Sequence, residues 1–244
     1  MAVQDTAVQD TATDTDSLLL LESETKYTLE NARAPLVAAW LDARCHADPQ
    51  YPSATVHSVY YDTRDFRSVR EKQNSDYLKS KVRLRWYADA DGKCVGNAFL
   101  EVKLRIGSRR QKHRVETEWP GAWVADQPLT SRDLLELANT LHTSGVHPGI
   151  RIEPALEVVY ERRRYIEPAT GDRLSLDSEI RVPRTNPNLL PPANPAPLRT
   201  AVFESKSLDG ELAAGLRPLV DLGLRKSSFS KYASLFQHVT GVEI

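Results

Sequence analysis

The chain runs to 244 residues and 27.4 kDa, with 41% apolar residues and 32 basic against 33 acidic side chains. That length allows one or two domains around a proper core, and the even charge excludes a bulk polycation that coats nucleic acid. The longest apolar run, six residues at 36–41, falls far short of the ~20 residues of a spanning helix, and the four leucines at 18–21 follow no basic segment, so neither membrane insertion nor a signal peptide is expected.

In chain order, residues 1–16 repeat small and polar residues (AVQDT-AVQDT-ATDTD) without a hydrophobic period, which predicts a disordered tail. The tail holds four Asp and no Lys or Arg, so the remainder carries +3 where the whole chain carries −1. No composition shift divides 17–244, which reads as a single domain. Strand-like runs are expected at 18–29, 53–62, 76–88, 97–106, 111–119, 153–167, 172–182 and 199–207. Turn chemistry separates them at Asp89-Ala90-Asp91-Gly92, Gly107-Ser108 and Pro168-Ala169-Thr170-Gly171-Asp172. Helices are expected at 31–46, where Pro35 sits in the first turn, at 131–143 behind a Ser131 cap, and at about 209–222 and 227–240. The proline-rich stretch 183–197 reads as a surface excursion between two strands.

Side chains on a strand alternate faces. Lys81, Arg83 and Arg85 therefore oppose Val82, Leu84 and Trp86, and Glu101, Lys103 and Arg105 oppose Leu100, Val102 and Leu104. Lys112, Arg114, Glu116 and Glu118 share one face. Arg173, Asp177 and Glu179 form another ionic stripe, as do Glu204 with Lys206 and Glu22, Glu24 with Lys26. Any one stripe, taken alone, reads as the wet face of an antiparallel sheet. Six stripes together point further, because charge is depleted from half-exposed strands. Eight strands also suffice to close a barrel around one small ligand. With charges inward, the amphipathic helices would cover the outward apolar faces. The ligand would be a dense polyanion with a bound cation, since Lys and Arg call for phosphate-like partners and Glu for a metal.

The E-x-E-x-K pattern of Glu22-Ser23-Glu24-Thr25-Lys26 resembles the signature of the triphosphate tunnel metalloenzyme (CYTH) superfamily. The ordered set KYTL (26–29), SVYYDT (58–63), KVRLRWY (81–87), LEVKLR (100–105), VVYERRRY (158–165), RLSLD (173–177), VFESK (202–206) and FSKY (229–232) resembles the VTC domain more closely. That domain is the catalytic polyphosphate polymerase domain of the vacuolar transporter chaperone complex and its bacterial relatives. The resemblance implies an α+β fold: an antiparallel eight-stranded β-barrel tunnel with a charged interior, flanked by about four helices. It implies phosphate-binding roles for Lys26, Arg83, Arg85, Lys103, Arg162, Arg173, Ser230 and Lys231, with Lys26, Arg83, Arg85 and Lys103 nearest the chemistry. It implies Mn²⁺ or Mg²⁺ on Glu204, and in the wider superfamily on Glu22 and Glu24. Lys206, on the face of Glu204, joins the phosphate-binding set by strand alternation.

The implied function is metal-dependent phosphoryl transfer, with a nucleoside triphosphate feeding a growing polyphosphate chain. Tripolyphosphate hydrolysis at the same site, or a non-catalytic polyphosphate or nucleotide sensor, are the alternatives. No Walker or G-x-G-x-x-G loop occurs, so side chains must hold the phosphates. RNA binding through Trp86 and Tyr87 lacks the accompanying Gly-Phe-Val run, so nucleic acid is not an expected partner. Cys45 and Cys94 are the only cysteines, and no N-x-S/T acceptor is present, which fits a reducing, cytoplasmic setting. Oligomeric state is left open.

Overall fold

Alternation of ionic and apolar residues demands a sheet with two unlike faces, and the computed structural model, which describes residues 23–74, 76–107, 109–139 and 151–242, has one. Its strands are β1 (Ser23–Glu30), β2 (His46–Ala47), β3 (Ser53–Asp62), β4 (Leu78–Ala88), β5 (Cys94–Ile106), β6 (Arg109–Pro120), β7 (Glu153–Ile166), β8 (Arg173–Arg181), β9 (Thr200–Ser207) and β10 (Arg225–Lys226). All ladders are antiparallel, in the order β10-β1-β9-β8-β7-β3-β4-β5-β6, with β2 paired to β7. The α-helices are α1 (Ala34–Arg44), α2 (Arg67–Gln73), α3 (Gly121–Asp126), α4 (Arg132–Asn139) and α5 (Lys231–Thr240). The α+β class is as expected.

The expected closed, eight-stranded barrel is not found. Among the described residues the ten strands form a sheet with two free ends, and no ladder joins β6 to β1 or β10. The edge of β1 that closure would need is taken up at Tyr27 and Thr28 by Lys226 and Arg225 of β10. The sheet is nevertheless strongly curled. β1 and β5 lie six ladders apart, roughly 29 Å if the sheet were flat at ~4.8 Å per strand. Yet the Glu24 carboxylate and the Lys103 ammonium each perturb the other's protonation. In the same sense, the adjacent residues Ser230 and Lys231 take a 2.8 Å bond from Lys81 of β4 and stand 3.4 Å from Glu204 of β9, four ladders away, so these strands share one concave face.

Three apolar clusters hold this shape. On the convex side, Tyr27, Leu29, Tyr165, Leu174, Leu176 and Phe203 pack beneath Val37 and Leu41 of α1 and beneath Leu216 and Leu219. Further along the same side, Val59, Tyr61, Val82, Leu84, Trp86 and Val102 pack beneath Val124 of α3 and Leu134 of α4. Gly121 lets α3 come close, because a Cβ there would lie 2.9 Å from the Cβ of Trp86. The third cluster occupies part of the concavity itself: Val56, Tyr60, Val158, Tyr160 and Val202 meet Tyr232, Leu235 and Phe236 of α5. The concave side is therefore partly apolar and carries a helix, and only the rest of it is ionic.

Several local expectations need correction. The stretch expected as a helix at 209–222 contains only a 3-10 turn, Ala214–Val220, because Pro218 has no N–H to give an α-helical bond. The last helix begins at Lys231 instead of 227, since Arg225 and Lys226 join β1 and the Ser227 N–H bonds to the Lys26 carbonyl. β2, β10, α2 and α3 were not anticipated. α2 starts behind Phe66 at φ 53°, a left-handed conformation without a glycine to signal it. The excursion 183–197 is anchored: Leu190 is in the third cluster, and the Arg184 guanidinium donates to Glu157 and to the carbonyls of Val124, Ala125 and Gln127. The expected tail 1–16, the end of the helix at 131–143 and Glu22 lie outside the described residues.

Candidate functional site

Register decides which ionic groups meet. Arg83 of β4 pairs with Glu101 of β5, and Glu101 with Arg114 of β6, so all three point the same way. Glu101 is 1% exposed as a side chain. Its Oε2 accepts from Arg83 Nε at 2.7 Å and lies 2.5 Å from Arg83 Nη2. Arg85 Nη1 is 3.9 Å from that same oxygen, and Lys112 Nζ and Arg114 Nε stand 3.4 and 3.7 Å from Oε1. Arg83 Nη1 also donates to the Tyr60 hydroxyl at 3.1 Å. Arg85 donates to Ser58 Oγ and to the Tyr160 hydroxyl.

A second nest forms where β7, β8, β9 and β1 adjoin. Arg162 makes a bidentate pair with Asp177, both bonds 2.6 Å, and its Nη2 lies 3.5 Å from Glu204. Lys231 Nζ reaches Asp177 at 2.5 Å and Glu204 at 3.4 Å. Lys26 lies 3.4 Å from Glu204 and 3.1 Å from Glu24. Lys231 reaches these groups because it is the first residue of α5. Ser230 caps the helix by accepting the Ala233 N–H, and its Oγ also receives a 2.8 Å bond from Lys81. α5 thus ties β4 to β8 and β9.

Cations outnumber the anions that answer them. Lys103 and Lys206 have no hydrogen bond or ion pair with any described residue, and Lys81 bonds only the neutral Ser230 hydroxyl. Burial and the neighbouring cations push the Lys81 and Lys103 ammoniums down to about 8, against partial support from Tyr60. Lys103 is itself exposed to water, with the cations Arg83 and Lys26 acting on it and the Glu24 carboxylate opposing them. Burial, Arg173 and Arg162 likewise lower Lys206. Burial alone would raise the Tyr60 phenol, but Arg83, Arg85 and Lys81 bring it down to about 7. Burial would also raise the Glu204 carboxyl, yet Lys231, Arg162 and Lys26 hold it well below the carboxylate range.

Of the residues picked from sequence, Lys26, Arg83, Arg85, Lys103, Arg162, Lys206, Lys231, Glu24 and Glu204 share the concave face with Ser230. Arg173 sits opposite Lys206 at its exposed rim. They are not equivalent. Arg162 and Lys231 are engaged by Asp177, and Arg85 is nearly covered. Arg163 turns to the convex side and meets Asp42 at 3.2 Å, as alternation requires. Sequence reasoning passed over Tyr60 and Tyr160, which hold Arg83 and Arg85, and gave no special place to Lys81, Glu101 or Asp177. Counting by twos along β3 from Ser58 would have put Tyr60 on the ionic face.

No group of three or more His, Cys, Asp or Glu side chains gathers to hold a metal alone among the described residues. Lys26 stands between Glu24 and Glu204, 3.1 Å from one carboxylate and 3.4 Å from the other. Two carboxylates fit an ion of the Mg²⁺ or Mn²⁺ kind, which takes most of its oxygens from water and substrate phosphates.

Residues 21–239 match a family described as VTC domain. No curated protein matches the chain. Among solved structures, the chain is similar to a Bacillus halodurans protein described as a candidate adenylate cyclase. The TM-score is 0.42 with 10% identity, over 89% of this chain and 86% of that one.

Proposed function

Since this chain belongs to the VTC domain family, we propose that its concave face binds a linear triphosphate or polyphosphate and catalyses metal-dependent phosphoryl transfer. A nucleoside triphosphate is the donor and polyphosphate the product. The observation that carries this reading is the surplus of cations: among the described residues, Lys81, Lys103 and Lys206 face the concavity with no carboxylate in ion-pair contact. Like charges gathered on one face repel one another, and a phosphate chain supplies a counter-charge at each of its links.

Phosphoryl transfer asks for alignment and charge neutralisation more than covalent chemistry. Lys26, Lys81, Lys103 and Lys206 hold phosphate oxygens as point charges. Arg83 keeps one N–H on each terminal nitrogen beyond those given to Glu101 and Tyr60, so it can present a fork to one phosphate. Arg162 and Lys231 support the site chiefly by fixing Asp177, Glu204 and the start of α5. Glu24 and Glu204 would hold the divalent ion, which neutralises charge on the leaving phosphate.

A second reading is hydrolysis of tripolyphosphate. It is favoured by Glu24, a half-exposed carboxylate kept ionised beside Lys26 and able to orient water. One assay separates the readings: ATP with Mn²⁺ and tripolyphosphate with Mg²⁺ are incubated with the protein and the products resolved on a gel. Chains longer than the substrate establish the polymerase, and orthophosphate alone establishes the hydrolase. Tight binding without product would leave a sensor and overturn catalysis. Chelating the metal should stop turnover without changing the melting temperature, because the ion pairs of the fold need no metal.

A further inference from the structure

An anion is an unexpected occupant of a face built to hold anions, and Glu101, like Asp177, is almost wholly enclosed there. Its side chain is 1% exposed and both oxygens are committed, one to Arg83 and Arg85, the other to Lys112 and Arg114. It therefore weakens phosphate binding twice, by repelling the ligand and by neutralising cations that would attract it. What it gives in return is geometry. Arg83 is fixed at Nε and Nη2 by Glu101 and at Nη1 by Tyr60, so its planar fork has one direction left in which to present its free N–H groups.

We propose that Glu101 is the positioning residue of the phosphate site, orienting the Arg83 fork for the transferring phosphate at the expense of ground-state affinity. This rests on the concave face being a phosphate site. Interactions that tighten only as the reaction proceeds raise turnover, whereas uniform attraction merely strengthens binding. A carboxylate that trades affinity for alignment is of the first kind. It also limits how firmly the site holds a product that must move on.

The test is Glu101→Gln, which keeps the shape and removes the charge. Tripolyphosphate binding is read by calorimetry and turnover from the product assay, with melting temperature as a check on folding. The expected result is a split: Kd tightens by about tenfold as repulsion is removed, while kcat falls by about 10- to 100-fold as the fork loses its direction. Loss of an ordinary structural residue would weaken both together. In an Arg83→Ala background the same change should leave kcat unaltered, because Glu101 acts through Arg83. If Glu101→Gln fails to fold, Glu101→Asp keeps the charge but withdraws it by one methylene, and should lower kcat with Kd unchanged. Unchanged kcat in a folded variant, or parallel loss of kcat and affinity, overturns the inference while wild-type binding keeps the site. Absence of tripolyphosphate binding by the wild-type protein overturns the site and the inference with it.

Discussion

Two kinds of cation share the concave face, and substitution should tell them apart. Arg162 is paired bidentately with an Asp177 that is fully buried, so Arg162→Ala leaves that carboxylate with Lys231 alone and should cost about 1.5–3 kcal/mol. Lys206 has no ion pair with a described residue, so Lys206→Ala should leave the melting temperature close to that of the wild type. Thermal melts of the two variants check this, and equal destabilisation would contradict the division. Titration gives a second handle. As pH rises through about 7 the Tyr60 phenol gains negative charge, and through about 8 Lys81 and Lys103 lose positive charge. All three changes weaken attraction for an anion, so tripolyphosphate affinity should fall between pH 6.5 and 9. The ligand titrates too, so the comparison is with Lys81→Arg/Lys103→Arg, whose affinity should fall less over the same range. The side of each strand that bears charge was legible from alternation at this scale. Which charges cancel was not: Arg83 and Arg162 look alike in sequence, and only the ladders that set Glu101 and Asp177 beside them separate their duties.

Among the elements, α5 does the most for the site relative to its length. Its apolar face is seated on the third cluster, and its first residue and cap deliver Lys231 and Ser230 to the ionic groups. Packing and site are thus coupled through one helix. Leu235→Ala, at a fully buried position, should cost about 2–5 kcal/mol and should also weaken tripolyphosphate binding, although Leu235 is not itself an ionic group. Denaturant unfolding and calorimetry together measure both, and binding at wild-type strength in a destabilised variant would uncouple them. The sequence makes this helix visible through Tyr232, Phe236 and Val239 but not where it docks. Lys231 looks misplaced on its stripe until the helix is seen to start there, with the side chain turned toward Asp177. The 3-10 turn at Ala214–Val220 is hidden for the opposite reason, because Leu212, Leu216 and Leu219 stand at helical spacing while Pro218 withholds the α-helical bond.

For the whole molecule, alternation and the ordered motifs pointed to an antiparallel sheet with helices on its apolar side. The closed eight-stranded barrel expected from them is not what the ladders form. Two residues of β10 occupy part of the β1 edge, and the sheet curls without closing. Closure is not what the chemistry needs. The chemistry needs charged groups from distant strands to meet on one face, and Ser230 and Lys231 bring Lys81 of β4 and Glu204 of β9 into that relation. Calorimetric titration of tripolyphosphate into the wild-type protein and into Lys103→Glu/Lys206→Glu tests this most directly. The expected outcome is saturable one-site binding by the wild type, with affinity at least about 100-fold lower in a variant of unchanged melting temperature. Equal affinity in the folded variant, or no saturable binding by the wild type, would contradict it.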